Sequence, residues 1–141
     1  MKPNIYLDID GVLLANENNP SRGANDFLQY VINNYSVYWL TTHCHGDASV
    51  PVTRFGHLFE PKTRLLLSQI KSTNWQVAKT EAIDFNLPFI WFDDDLYNDE
   101  RQALIEHNAM DSWVEVDLSR NPDSLYIFNE PWFKERIKRL N

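Results

Sequence analysis

Cysteine is nearly missing from this chain. Cys44 stands alone, so no intrachain disulfide can form, and a reducing, cytoplasmic setting is the expectation. Long apolar runs are missing too. No stretch approaches the length that spans a bilayer, and the opening MKPNIYLDID has no extended apolar segment ahead of a cleavage site. A soluble protein with no membrane partner is therefore expected. Positive charge is scarce. The 13 Lys and Arg residues are outnumbered by 20 Asp and Glu, for a net charge of −7. Such a surface repels polyanions on average. That counts against bulk binding to nucleic acid, though not against a short nucleic-acid end entering a metal-containing pocket. The one concentrated basic stretch, Lys134 to Arg139, reads as the solvated face of a last helix. Repeats and linkers are also absent, and residues 1–141 read as one domain.

Aromatic and apolar residues are abundant. At 43% apolar and 13% aromatic, with five Trp and eight Phe, the chain has the material for a packed core and not the composition of a disordered one. The apolar residues fall into short continuous runs. Ile5 to Leu7, Ser36 to Leu40 and Phe89 to Phe92 have the character of strands buried on both faces. Trp113 to Leu118 alternates like an edge strand. Helical spacing marks Asn25 to Asn34, Val52 to Phe59, Thr73 to Phe85, Asp99 to His107 and Glu130 to Leu140. Within these, Asn25 and Thr73 are the candidate N-caps. Ala103, Leu104 and His107 are expected to face inward, and Leu65 to Leu67 reads as a short extra strand. Ala15 to Ala24 has the Asn, Pro, Ser and Gly content of a loop. Strands alternating with helices predict an α/β three-layer sandwich with a mostly parallel, Rossmann-like sheet.

In such a sheet the C-terminal ends of all strands open on one crevice, where ligands bind. Three of the predicted strands end in polar residues: Asp8 and Asp10, Thr41 and Thr42, and Asp93, Asp94 and Asp95. Asp8 and Asp10 stand two residues apart, so on a strand they point to the same side. Like charges gathered in this way need a compensating cation or proton. Oxygen-only ligands favour Mg²⁺ over Zn²⁺. Beside a metal, one carboxylate can attack phosphorus and a second can shuttle protons to the leaving oxygen. A hydroxyl from Thr41, or from Thr42, suits the peripheral oxygens of a phosphoryl group. Lys79 is a suitable screening cation, with Lys71 as the alternative. Asp95 reads as a solvent or helix-start residue. His43-Cys44-His45 with His57 lacks the spacing of a zinc site and reads as a loop that shapes access to the crevice. His43 is the member of that loop to test.

These residues resemble, in order, the motifs of the haloacid dehalogenase-like (HAD) superfamily of phosphohydrolases. An apolar strand followed by DxDGxx is matched by Asp8-Ile9-Asp10-Gly11-Val12-Leu13. A strand ending in Thr is matched by Trp39-Leu40-Thr41, an upstream Lys by Lys79, and a strand ending in an acidic pair by Asp93-Asp94. The resemblance spans about two thirds of the chain. It implies Asp8 as the nucleophile of an aspartyl-phosphate intermediate, and Asp10 as general acid and base with its backbone carbonyl on Mg²⁺. It implies Thr41 on the phosphate, Lys79 stabilising the intermediate, and Asp93 or Asp94 completing the metal site with Asp8 and Asp10. Gly11 would permit a tight turn after the first strand. The stretches from Asp10 to Thr41 and from Thr42 to Lys79 are too short for a large cap domain, which implies an open site. The expectation is a Mg²⁺-dependent phosphatase of a phosphorylated small molecule or macromolecular end, as a monomer or small homo-oligomer. A non-catalytic HAD-fold binding protein and a nucleic-acid end phosphatase are the alternatives.

Overall fold

A computed structural model describes residues 2–140. The apolar runs become a four-stranded sheet. β1 (Asn4–Leu7) is central. A short hairpin, β2 (Leu14–Asn16) and β3 (Asn19–Pro20), follows it. Then come α1 (Ala24–Asn34) and β4 (Ser36–Trp39). The middle of the chain forms α2 (Ser49–Phe55) and α3 (Pro61–Leu66), with short 3₁₀ turns after each. The last third holds β5 (Phe89–Asp93), α4 (Asn98–Glu106), β6 (Trp113–Glu115), α5 (Ser124–Ile127) and α6 (Glu130–Arg139).

The sheet order is β4-β1-β5-β6, and every pairing is parallel. Its continuous apolar strands are explained by burial on both faces. Ile5, Leu7, Val37, Trp39, Ile90 and Phe92 belong to a large core shared with Phe27, Leu28 and Val31 of α1 and Phe133 of α6. Their alternating neighbours Tyr6, Phe89 and Trp91 belong to a second core with Leu104 of α4 and Ile83. The sheet thus lies between two apolar layers in an α/β sandwich. The chain leaves β1 towards β4 on one side and returns to β5 on the other. The strand order therefore reverses between β1 and β5, and their C-terminal tips flank the switch point at which such sheets bind ligands.

Several sequence expectations change. Thr73–Phe85 is not a helix. Only a 3₁₀ turn, Lys79–Ala82, forms there. The Glu81 carboxylate takes the N–H groups of Gln76, Val77 and Ala78 at 3.2, 3.0 and 2.8 Å, which holds the chain in a loop. Thr73 is not an N-cap, because its hydroxyl donates to the Trp39 carbonyl. Leu65–Leu67 is the end of α3 and the start of a 3₁₀ turn, not a strand. Pro61 sits at a position that starts a helix. The N-cap of α1 is Gly23, at φ 78°, while Asn25 Oδ1 accepts the Glu60 N–H at 3.0 Å. Ala15 to Ala24 is partly the β2–β3 hairpin, tied down by the Ser21 N–H to the Leu13 carbonyl at 2.8 Å. The expected strand Trp113 to Leu118 is shorter, ending at Glu115. His107 is exposed and does not face inward, although its ring stacks on Phe85 at 3.9 Å between centroids. Among the described residues, no helix is long and apolar enough to cross a membrane.

Candidate active site

Register sets the first half of the site. Leu7 pairs with Phe92, and the Asp8 N–H reaches the Phe92 carbonyl at 3.1 Å. The two chains leave the sheet side by side, so Asp8 and Asp93 emerge as neighbours. One oxygen each from Asp8, Asp93 and Asp94 can be chosen so that all three lie within 4.8 Å of one another. Lys79 is brought to the same place by its 3₁₀ turn. Its Nζ is 2.6 Å from Asp93 Oδ2 and 3.5 Å from Asp8 Oδ1.

The surroundings of these groups differ. Asp93 is saturated with donors. Oδ2 takes Lys79 Nζ and the Trp91 indole N–H at 3.2 Å, and Oδ1 takes the N–H groups of Asp94 at 2.8 Å and Asp95 at 3.4 Å. Burial and the neighbouring Asp8 carboxylate nevertheless push the Asp93 carboxyl up to about 7. Asp94 is pushed up to about 6, by burial and by its contact with Asp93. Burial raises Asp8 as well, against the opposing pull of Lys79. Burial also pulls Lys79 down, but the charges of Asp8 and Asp93 outweigh that and leave its ammonium above the ordinary value. One lysine does not neutralise three carboxyl groups. A compact, oxygen-only cluster with unmet negative charge fits a hard divalent cation such as Mg²⁺.

Gly11 sets the approach of Asp94. The first strand turns sharply, with the N–H groups of Val12, Leu13 and Leu14 all directed at the Ile9 carbonyl. Gly11 takes φ +79° in that turn, and a Cβ there would stand 2.5 Å from Asp94 Oδ2. Both the backbone conformation and the close approach require glycine. Among the described residues no backbone N–H is directed at the Asp10 carbonyl, which leaves it available as a further oxygen ligand.

Asp10 itself faces outward. Its side chain is 64% exposed, and its Oδ2 lies 2.8 Å from His43 Nε2. His43 Nδ1 lies 3.2 Å from Arg54 Nη1. The two threonines diverge. Thr41 is fully buried, with Oγ1 accepting the His43 N–H at 3.3 Å, and Thr42 is the one that lines the crevice. Lys71 lies along the outer edge of β4 with Nζ over the Tyr38 ring at 5.3 Å, and it is not among the residues lining the crevice. Asp95 lines the crevice but turns one oxygen to the Leu96 N–H at 2.9 Å. Cys44 is buried, with its thiol near the carbonyls of Asp47 and Thr73 at 3.6 and 3.8 Å.

The crevice is open and holds about 250 Å³. Its far wall is formed by residues that sequence reasoning missed: Trp75, Val77, Tyr97 and Glu100. Glu100 is the most informative of them. Though buried, it spans two elements, taking the Tyr97 N–H at 3.1 Å and the Lys79 N–H at 3.1 Å. It thereby ties the start of α4 to the turn that presents Lys79. An acidic residue in the first turn of a helix is an ordinary capping feature, so the sequence carried no signal for the second contact.

No protein-family model, curated protein or solved structure matches the chain. What the site can do is set by its own atoms: a fixed buried lysine, three clustered carboxyl groups, one outlying carboxylate and a threonine hydroxyl around an open crevice.

Proposed function

We propose that this chain is a Mg²⁺-dependent phosphomonoester hydrolase of the HAD-like type, working through an aspartyl-phosphate. The observation that carries this reading is the meeting of Asp8, Asp93, Asp94 and Lys79 at the tips of β1 and β5. A buried carboxylate beside a fixed lysine, with an acidic pair whose charge that lysine alone does not offset, suits nucleophilic attack on a phosphate whose charge must be offset.

Asp8 is the nucleophile. Its Oδ bonds to phosphorus as the bond from phosphorus to the ester oxygen breaks, and Asp10 gives that oxygen a proton. Asp10 then takes a proton from water as the water oxygen bonds to phosphorus and the phosphorus–Asp8 bond breaks. One ester and one water thus yield one alcohol and one phosphate. Asp94, whose carboxylate takes no donor from another of the described residues, would be the direct metal ligand together with Asp8 and the Asp10 carbonyl. Asp93, with both oxygens occupied, anchors Lys79 and the turn after β5. Mg²⁺ held there supplies positive charge to the transferring phosphoryl group. Thr42 donates to the peripheral oxygens from the β4 side, and Thr41 beneath it holds the turn. The open crevice admits esters whose alcohol part is large.

A panel of small and polymeric phosphate monoesters, assayed with and without Mg²⁺, tests the reading. Mg²⁺-dependent release of phosphate by the wild type and its loss in Asp8→Asn are expected. Absence of turnover on every ester, with no Mg²⁺ binding by calorimetry, contradicts it.

A further inference from the structure

The side-chain partner of Asp10 is a histidine from outside the cluster of carboxylates and lysine. His43, in the loop after β4, reaches it at 2.8 Å, and Arg54, near the end of α2, reaches the other ring nitrogen at 3.2 Å. The chemistry of these three groups fixes the direction of the chain. A guanidinium only donates, so His43 Nδ1 accepts. The proton of the neutral ring is then on Nε2 and is donated to Asp10 Oδ2. The ring is also held mechanically. It meets the buried Phe55 edge-on, with centroids 4.8 Å apart and planes at 76°. The Arg54 guanidinium lies 5.3 Å from the centre of the same Phe55 ring. His43 is largely buried, although the carboxylate it holds is exposed.

We propose that His43, kept in its Nε2–H tautomer by Arg54, is a positioning residue for Asp10. This role rests on the phosphatase reading, in which Asp10 passes protons to the leaving oxygen. A donor on Oδ2 confines the transferable proton to Oδ1, the oxygen with no partner among the described residues. It also fixes the carboxyl rotamer of a side chain that is otherwise free in solvent. His43 itself neither gains nor loses a proton during turnover. In the step that forms the aspartyl-phosphate, its contribution scales with how much the leaving oxygen needs protonation. It is large for an alkyl phosphate, whose alkoxide is a poor leaving group, and small for 4-nitrophenyl phosphate, whose phenolate leaves unaided.

The test compares these two esters on the full chain with Mg²⁺. In His43→Phe, kcat/KM on the alkyl ester, which reports the step in which the alcohol leaves, is expected to fall by about 10²-fold, and kcat/KM on the aryl ester by a few-fold at most. His43→Gln, whose amide N–H can still reach Oδ2, restores most of the alkyl activity. Arg54→Met frees the tautomer and gives a smaller loss with the same bias. Equal losses on both esters, or an unchanged ratio in both His43→Phe and Arg54→Met, overturn the role. If His43→Phe does not fold, the ratio in Arg54→Met decides. In ¹⁵N NMR the wild-type His43 ring is expected as the Nε2–H tautomer, and the Nδ1–H form overturns the arrangement independently of turnover. No turnover of either ester by the wild type overturns the phosphatase reading and this role with it.

Discussion

On one flank of the crevice Asp8 and Asp93 are buried against Lys79, with their protonated forms favoured by burial. On the other flank Asp10, two residues along from Asp8, is open to water and bonded to a histidine. The two sides hold the same functional group under opposite conditions. The buried flank gathers carboxyl groups whose charge burial disfavours, which costs stability unless a cation is bound. The exposed flank costs little and needs only to be aimed. Removing a group from the buried flank should therefore change stability and metal binding together. Changes on the exposed flank should alter rate alone.

The largest expected effect is that of Asp8→Asn. Phosphatase activity is expected to fall by at least about 10³-fold. The melting temperature is expected to hold or rise, because a neutral amide replaces a carboxylate that burial disfavours. A loss of activity accompanied by a matching loss of stability in calorimetry would count against the asymmetry. Lys79→Met comes next. It leaves Asp8 and Asp93 without their cation, and urea unfolding without metal should show a loss of about 3 kcal/mol. Mg²⁺ is expected to recover part of that loss. Gly11→Ala combines a left-handed backbone with a collision against Asp94. About 1–2 kcal/mol of stability should be lost, and Mg²⁺ affinity measured by calorimetry should weaken.

The pH dependence has a defined sign. Asp93 and Asp94 have folded-state values of about 7 and 6, above the value near 4 expected for an unfolded Asp. The folded protein binds more protons than the unfolded one between about pH 4 and 7, so stability without metal is expected to fall as pH rises through that window. The exposed acids held below their ordinary values, Asp47, Glu81, Asp117 and Glu130, act in the opposite sense only at lower pH. Mg²⁺ competes with those protons, so the increase in melting temperature that it gives should grow from pH 5 to pH 7.5. A flat or inverted profile in thermal scans breaks the argument for stored charge. The smallest effect expected is that of Glu100→Gln, about 1 kcal/mol, since an amide oxygen keeps one of the two N–H contacts.

The strands were legible because burial on both faces leaves unbroken apolar runs, and the gathering of carboxyl groups at their tips followed from parallel pairing. Asp8, Lys79, Asp93 and Asp94 come together where the sequence pattern brings strand ends together. The segment from Thr41 to Pro88 was harder to read for a physical reason. Trp75, Ala82 and Phe85 do pack against the second core, so their spacing reported burial correctly and helicity wrongly. Side chains such as Glu81 and Thr73 claim backbone groups there, and no periodicity records that competition. The contacts of Glu100 with Lys79 and of His43 with Asp10 join segments distant in sequence, and they are visible only once the chain is folded.

In the proposed reaction Asp8 carries the phosphoryl group. Wild-type protein turning over 4-nitrophenyl phosphate with Mg²⁺, quenched in acid and mapped by peptide mass spectrometry, tests it most directly. The predicted result is a phosphoryl adduct on the peptide containing Asp8, absent without Mg²⁺ and absent in Asp8→Asn. Turnover with no adduct, or with the adduct on another residue, would contradict it.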